Sequence, residues 1–200
     1  MTAANPDEQD AQDMARLANG SDAALDDLMA RHSSKLFHYL IRSLQNEDEA
    51  ADLAQETFVR VYQNRAKFDS RRKFTTWLYS IASNLVRDRY RWRARHPQVS
   101  LDAANEDTGG QFVDSIAGLA HTPSEGLQQE ECAEAVRCAI GALPEELRVP
   151  LILAEYEDRS HAEIAEVLGC SVKAVETRVY RARKQLRQAL APLLHGGSFP

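Results

Sequence analysis

Residues 159–190 constrain this chain more than any other stretch, because every local signal in them agrees with the next. Ser160 and Glu163 have the spacing of a capping box, in which a hydroxyl and a carboxylate satisfy free amides of a first helical turn reciprocally. Ile164, Ala165 and Leu168 give the short helix that follows one apolar face, and Gly169 stands where a left-handed cap is wanted. Ser171 then caps a second, longer helix whose inward face reads Val172, Val175, Val179, Ala182 and Leu186, at steps of three and four residues. Its opposite face carries Lys173, Thr177, Tyr180 and Lys184, with Arg181 and Arg187 beside them. Between residues 171 and 187 there are six Lys or Arg and a single acid, Glu176. A short helix, a three-residue turn and a basic second helix make a helix-turn-helix, whose second helix fits the DNA major groove. Most basic helical faces are merely solvated. Here the caps, the glycine turn, the apolar stripe and the near-exclusive positive charge all point to DNA.

The rest of the chain must be compatible with that element. A net charge of −6 excludes a protein that coats nucleic acid by bulk electrostatics. The charge is segregated, however: residues 65–95 hold ten Lys or Arg against Asp69 and Asp88, and residues 97–135 hold no Lys or Arg and eight acids. Two basic islands are separated by an acidic strip. Two hundred residues, 44% hydrophobic and 27% charged, fit a soluble protein of one domain or two small ones. No apolar run approaches the roughly 18–20 residues of a membrane span, and the first residues lack the basic and apolar regions of a signal peptide. A cytoplasmic location without membrane insertion is therefore expected. Cys132, Cys138 and Cys170 have no metal-ligand spacing and are expected to be buried or half-buried free thiols. No phosphate loop, metal spacing or nucleophile motif supports an enzyme, and no metal or cofactor is expected.

Taken in order, residues 1–8 read as disordered and residues 10–17 as a short amphipathic helix. Ser21 can cap a long helix carrying Leu25, Leu28, Met29, His32, Leu36, Tyr39, Leu40 and Leu44, with His32 a core or boundary residue rather than a ligand. Asn46 and Glu49 open a helix expected to reach Phe68, with Ala50, Leu53, Ala54, Phe58 and Tyr62 inward and Asp52, Gln55, Glu56, Arg60 and Gln63 outward. Residues 68–74 read as a loop, after which Thr75 or Thr76 caps a helix running to about Arg95. Phe68, Phe74, Trp77, Tyr79, Tyr90 and Trp92 are interleaved there with Arg71, Arg72, Lys73 and the arginines at 87, 89, 91, 93 and 95. Aromatic faces stack on unpaired bases while cations track phosphates, which is single-strand chemistry; the alternative is that Phe74 and Trp77 are ordinary core. Residues 97–123 form a linker. Ser124 caps the next helix, and Pro150 calls for a kink or a late start in the helix after Pro144.

Three blocks, together covering most of residues 22–190, make the chain resemble a bacterial RNA polymerase sigma factor of the extracytoplasmic-function (ECF) group. Residues 52–62 (DLAQETFVRVY) look like the family's core-polymerase-binding helix. Residues 74–84 (FTTWLYSIASN) are similar to its promoter-melting segment. Residues 142–148 (ALPEELR), followed by the helix-turn-helix, are similar to its −35-binding domain. The resemblance implies an all-α fold of two small helical domains joined by a flexible acidic linker: residues 1–96 for polymerase binding and the −10 element, 97–123 as linker, and 124–194 for the −35 element. It implies that Asp52, Gln55, Glu56 and Arg60 meet core polymerase, chiefly the clamp of the β′ subunit, with β also a partner. Phe68, Arg71, Arg72, Lys73 and Phe74, with Thr76, Tyr79 and Asn84, match the surface that captures the −10 element with a base flipped out. Lys173, Glu176, Thr177, Arg178, Arg181, Lys184 and Arg187 match the −35 recognition helix. An anti-sigma factor and a stress response are implied as well. Many relatives carry arginine where Glu176 stands, and the loop after Phe68 is more basic than the family's usual glycine-containing one. A free-standing helix-turn-helix regulator, with residues 1–95 as sensor, is the competing class; the 52–62 helix and the aromatic-arginine block are surplus to it.

Overall fold

The computed structural model describes residues 5–96 and 123–192, the side chains of 123–129 excepted. All regular structure among these residues is helical. Free amides at a helix start need acceptors, and Asn or Ser supplies them at four starts. Asn5 accepts from Asp7 and Pro6 takes the first position of α1 (Pro6–Ala18), so this helix begins inside the stretch that composition reads as disordered. Asn46 accepts from Glu49 at 2.8 Å to open α3 (Glu47–Gln63). Ser160 opens α7 (His161–Leu168) and Ser171 opens α8 (Val172–Ala189).

The other starts depart from the sequence reading. α2 (Ala23–Leu44) begins after Asp22, not Ser21, and without a side-chain cap. α4 (Phe74–Arg95) begins two or three residues early, after Lys73; Thr75 and Thr76 lie in its first turn, and Thr76 is buried where a capping side chain would face free amides. α3 stops at Asn64, short of Phe68, and a single 3₁₀ turn follows at Arg65–Lys67. α5 (Pro123–Gly141) starts at Pro123, placing Ser124 inside it. α6 (Glu145–Glu155) starts directly after Pro144 and runs through Pro150, so the late start does not occur. The linker and the last eight residues lie outside the described residues.

In the N-terminal unit α2 packs on α1, α3 and α4, burying Leu28, Leu36, Leu40, Phe58, Val61, Leu78 and Val86. In the C-terminal unit α6, α7 and α8 pack together, with Leu143, Leu147, Leu151 and Ala182 at one centre. The two units share an interface: α2 meets α5 and α6, and α4 meets α6 and α7. One apolar cluster spans both, including Tyr39, Leu44 and Leu78 from the first and Ile152, Leu153 and Ile164 from the second.

A buried arginine crosses that interface. Arg148 donates through Nη1 to the Ser43 carbonyl at 2.9 Å and to the Tyr90 hydroxyl at 2.5 Å. Through Nη2 it donates to the carbonyls of Leu143, at 2.7 Å, and Gly141. Its burial works against the charge and lowers its pKa, so acceptors on both sides of the interface must hold the cation in place. Arg42 similarly approaches Glu157 at 3.9 Å and lies 4.4 Å over the Tyr156 ring.

Candidate nucleic-acid and polymerase interfaces

On α3 the inward side chains are Leu53, Thr57, Phe58 and Val61. That leaves Asp52 and Gln55 exposed and Glu56 and Arg60 half-buried, the latter two ion-paired at 2.8 Å. α4 supplies a facing wall. Asp52, Leu53, Glu56 and Arg60 line one side of a groove of about 670 Å³, and Leu85, Asp88, Arg89, Trp92 and Arg95 the other. Glu49 fixes the two helices together through Arg89 at 3.5 Å and Arg93 at 2.6 Å. The sequence reading gave Trp92 to single-strand stacking. It lines this groove instead, 40% exposed and stacked on His96 at 4.8 Å. The spacing of Leu85, Asp88, Arg89 and Trp92 is the signal that would have placed α4 here.

The residues matched to the −10 surface are split. Phe74 is 1% exposed, 5.2 Å from the His32 ring, so the ordinary-core alternative holds for it. Phe68 and Trp77 are half-buried beside it, with ring centres 5.2 to 6.3 Å apart. His32 is a boundary residue whose Nε2 lies 2.9 Å from both oxygens of buried Asp10. Thr76 and Tyr79 are buried, and the Tyr79 hydroxyl donates to Glu157 of the C-terminal unit.

At the loop, Arg71 is exposed and bonded to Asp69 at 2.7 Å, holding that carboxyl down at about 2. Arg72 pairs with Glu166, and Lys73 with Glu163 at 3.0 Å. Asn84 is exposed and accepts from Arg87 at 3.2 Å. It lies about 15 Å along α4 from Phe74, at 1.5 Å per residue. The structure therefore brings Arg71, Arg72 and Lys73 together at the mouth of α4, leaves Asn84 apart, and takes Phe74, Thr76 and Tyr79 out of solvent.

The helix-turn-helix forms as its sequence dictates. Both halves of the Ser160–Glu163 capping box are present, Gly169 has φ +63°, and the Ser171 hydroxyl accepts from the Ala174 amide at 3.2 Å. Burial of Val175, Val179 and Ala182 fixes the rotation of α8. Lys173, Glu176, Thr177, Arg181, Lys184 and Arg187 are then exposed together, with Tyr180 open beside them at 69%. Thr177 gives its hydroxyl proton to the Lys173 carbonyl at 2.9 Å, and Lys173 reaches Glu176 at 3.2 Å.

Two residues differ from expectation. Val172 is 42% exposed rather than inward. It sits about 60° from Val175 at the edge of the stripe, at 100° per residue, with no preceding turn to cover it. Arg178 is half-buried, 3.7 Å from the Cys170 sulfur. It lines an interdomain cavity of about 290 Å³ with Arg87, Arg91, Glu145 and Glu146, away from the exposed face. Cys132 and Cys138 are exposed, against the expectation of burial, and Cys170 is half-buried. Among the described residues no group of His, Cys, Asp or Glu is arranged to hold a metal, and no helix is long and apolar enough to cross a membrane.

Comparison with known proteins adds the following. Residues 28–96 match the family described as Sigma-70 region 2, and residues 133–186 match Sigma-70, region 4. The chain is 35% identical over 187 residues to the RNA polymerase sigma-H factor of Pseudomonas aeruginosa, covering 94% of this chain and 96% of that protein. It is 35% identical over 179 residues to the ECF RNA polymerase sigma factor SigW of Bacillus subtilis, covering 89% and 95%. Among solved structures, CnrH in complex with the cytosolic domain of CnrY superposes with a TM-score of 0.64 at 27% identity, over 95% of this chain and 99% of that one.

Proposed function

The chain belongs to the ECF group of the sigma-70 family, and on that premise we propose how its surfaces divide the work of promoter-specific initiation. It is a transcription initiation factor rather than a catalyst. The groove between α3 and α4, with Asp52, Glu56 and Arg60 on one wall and Gln55 exposed on the same helix, docks on core RNA polymerase through β′, with β completing the contact. The exposed face of α8 reads the −35 element: Lys173, Glu176, Thr177 and Arg181 towards the bases, Lys184 and Arg187 on phosphates. The 68–84 stretch captures the −10 strand, using Phe68, Arg71, Arg72, Lys73 and Asn84, with Phe74 and Thr76 supporting them from the core and Tyr79 joining once Glu157 is drawn off it. Residues 1–96 and 124–194 act as the two units, the protein works in the cytoplasm, and an anti-sigma factor holds it until a stress releases it. CnrH, which it resembles, was solved with the cytosolic domain of CnrY.

The observation that carries this reading is one chain holding both a basic, exposed recognition helix and a charged groove on a separate helix pair. A free-standing regulator needs the first and has no use for the second. Run-off transcription with core polymerase and genomic fragments tests it. Discrete transcripts that need both core and this chain are expected. Sequence-specific DNA binding without core, accompanied by no transcript, would establish the regulator instead.

A further inference from the structure

Two cations assigned above to promoter DNA are already paired inside the chain. Arg72 is bonded to Glu166, and Lys73 to Glu163 at 3.0 Å, across sequence separations of 94 and 90 residues. Both carboxylates lie on α7, three positions apart and so on one helical face. Two carboxylates one turn apart offer two neighbouring cations what two consecutive phosphates would offer. The pairing extends along α4. Arg159, just before α7, donates to the Thr75 hydroxyl at 3.0 Å and lies 5.2 Å over the Tyr79 ring. Tyr79 in turn donates to Glu157, whose side chain is 5% exposed. Every one of these contacts joins the C-terminal unit to the mouth and first turns of α4. None involves the outward face of α8, where Lys173, Thr177, Arg181 and Lys184 stay exposed.

We propose that α7 is an intramolecular cover for the −10 surface. Glu163 and Glu166 occupy Lys73 and Arg72 in place of DNA phosphates, Glu157 and Arg159 close over Tyr79 and Thr75, and strand capture requires the C-terminal unit to move off α4. The inference rests on the assignment of the −10 surface to the 68–84 stretch. Its chemistry is that of a reversible lock: Arg72 and Lys73 remain about half exposed, so the pairs are screened by salt and open to competition from a polyanion. In the closed chain the −35 reader is available while the −10 reader is shut, which orders the two recognition steps.

The test uses the full chain and the double variant E163Q/E166Q. Glutamine at 163 keeps the capping box, so α7 is preserved. Two quantities are measured at low ionic strength: the radius of gyration by X-ray scattering, and affinity for a labelled, mixed-sequence single-stranded DNA by fluorescence anisotropy. The variant is expected to expand and to bind about fivefold more tightly, the scale of two exposed ion pairs. E130Q/E131Q, on exposed positions of α5, changes net charge equally and is expected to do neither. R72E/E166R, which re-forms one pair with reversed sign, is expected to stay as compact as the parent. An unchanged radius and affinity in E163Q/E166Q would overturn the cover, and so would expansion without tighter binding. The −10 assignment is tested separately by adding R72A/K73A to E163Q/E166Q: loss of strand affinity upholds the assignment even where the cover fails, and no loss removes the assignment itself.

Discussion

The two surfaces proposed to meet promoter DNA are built by different means. α8 is shaped by its neighbours in sequence: Ser171 starts it, Gly169 turns the chain into it, and α6 and α7 pack its apolar side. Its reading side chains face outwards whatever the N-terminal unit does. The −10 surface is shaped at long range. Phe74 is set by His32, Tyr79 by Glu157 and Arg72 by Glu166. The first is a fixed part; the second depends on how the two units sit together. Charge is the common currency of both, but only on α8 is most of it left unspent.

The change expected to break the comparison most severely is Arg148→Ala. It leaves buried carbonyls of Ser43, Gly141 and Leu143 without this donor, and should cost about 3 kcal/mol in urea unfolding. If the units act as one, hydrogen-exchange protection falls at the end of α2 as well as in α6. Protection lost only in α6 would mean that the units are independent in solution and the contrast collapses.

Glu176→Ala sharpens the α8 side. A carboxylate can accept from cytosine N4, so its loss should relax discrimination at one −35 base pair by about 2 kcal/mol, while Arg187→Ala weakens all sequences alike. A −35 base-substitution panel with both variants decides this. A uniform loss for Glu176→Ala would reduce the residue to a brace for Lys173, which it contacts at 3.2 Å.

The α3–α4 groove is proposed for core polymerase and not for DNA, and Glu56→Arg tests this. Core-polymerase affinity is expected to fall about tenfold, roughly 1.4 kcal/mol, with melting and −35 duplex binding unchanged. Undiminished co-elution with core polymerase would take this face out of the interface.

The smallest expected effect is that of pH on closure. Burial raises the pKa of Glu157, and Tyr79, Arg42, Arg159 and Lys35 offset this only in part. The closed chain therefore binds that proton more tightly than an open one, in which Glu157 would titrate at its ordinary value. Acidification between the raised value and the ordinary one should favour closure and weaken strand binding, by no more than about 1 kcal/mol. Burial also disfavours the Glu163 carboxylate, but bonds from Ser160 and Lys73 hold it at about 2. Only the Lys73 part is lost on opening, so its opposite effect appears at lower pH. Glu157→Gln should abolish the trend; an unchanged trend would assign it to another group.

What the sequence made legible follows the same division. The helix-turn-helix could be read almost residue by residue, because caps and apolar steps are local signals, and only Val172 and Arg178 departed from their expected faces. The start of α4 could not, since Lys73 makes no side-chain cap and the threonines that resemble caps point inward or towards the other unit. The alternation of aromatic and basic residues around α4 pointed to a candidate strand-binding stretch. It could not show which rings would be core, because that depends on His32 and α1, far off in sequence. The pairing of α7 with the α4 mouth carries no local signature: Glu166 is, by sequence, an ordinary solvent-facing acid.

The 94 residues between Arg72 and Glu166 also separate the two in time. At about 5–20 residues per second, a ribosome needs roughly 5 to 20 s to make that interval. Throughout it the nascent N-terminal unit would carry the proposed strand-binding surface with no α7 to lay over it. If α7 is the cover proposed above, a newborn copy passes through an uncovered stage that a finished one must reopen to regain, and the order of synthesis alone gives nucleic acid or polymerase its first chance at the protein before the protein can close on itself.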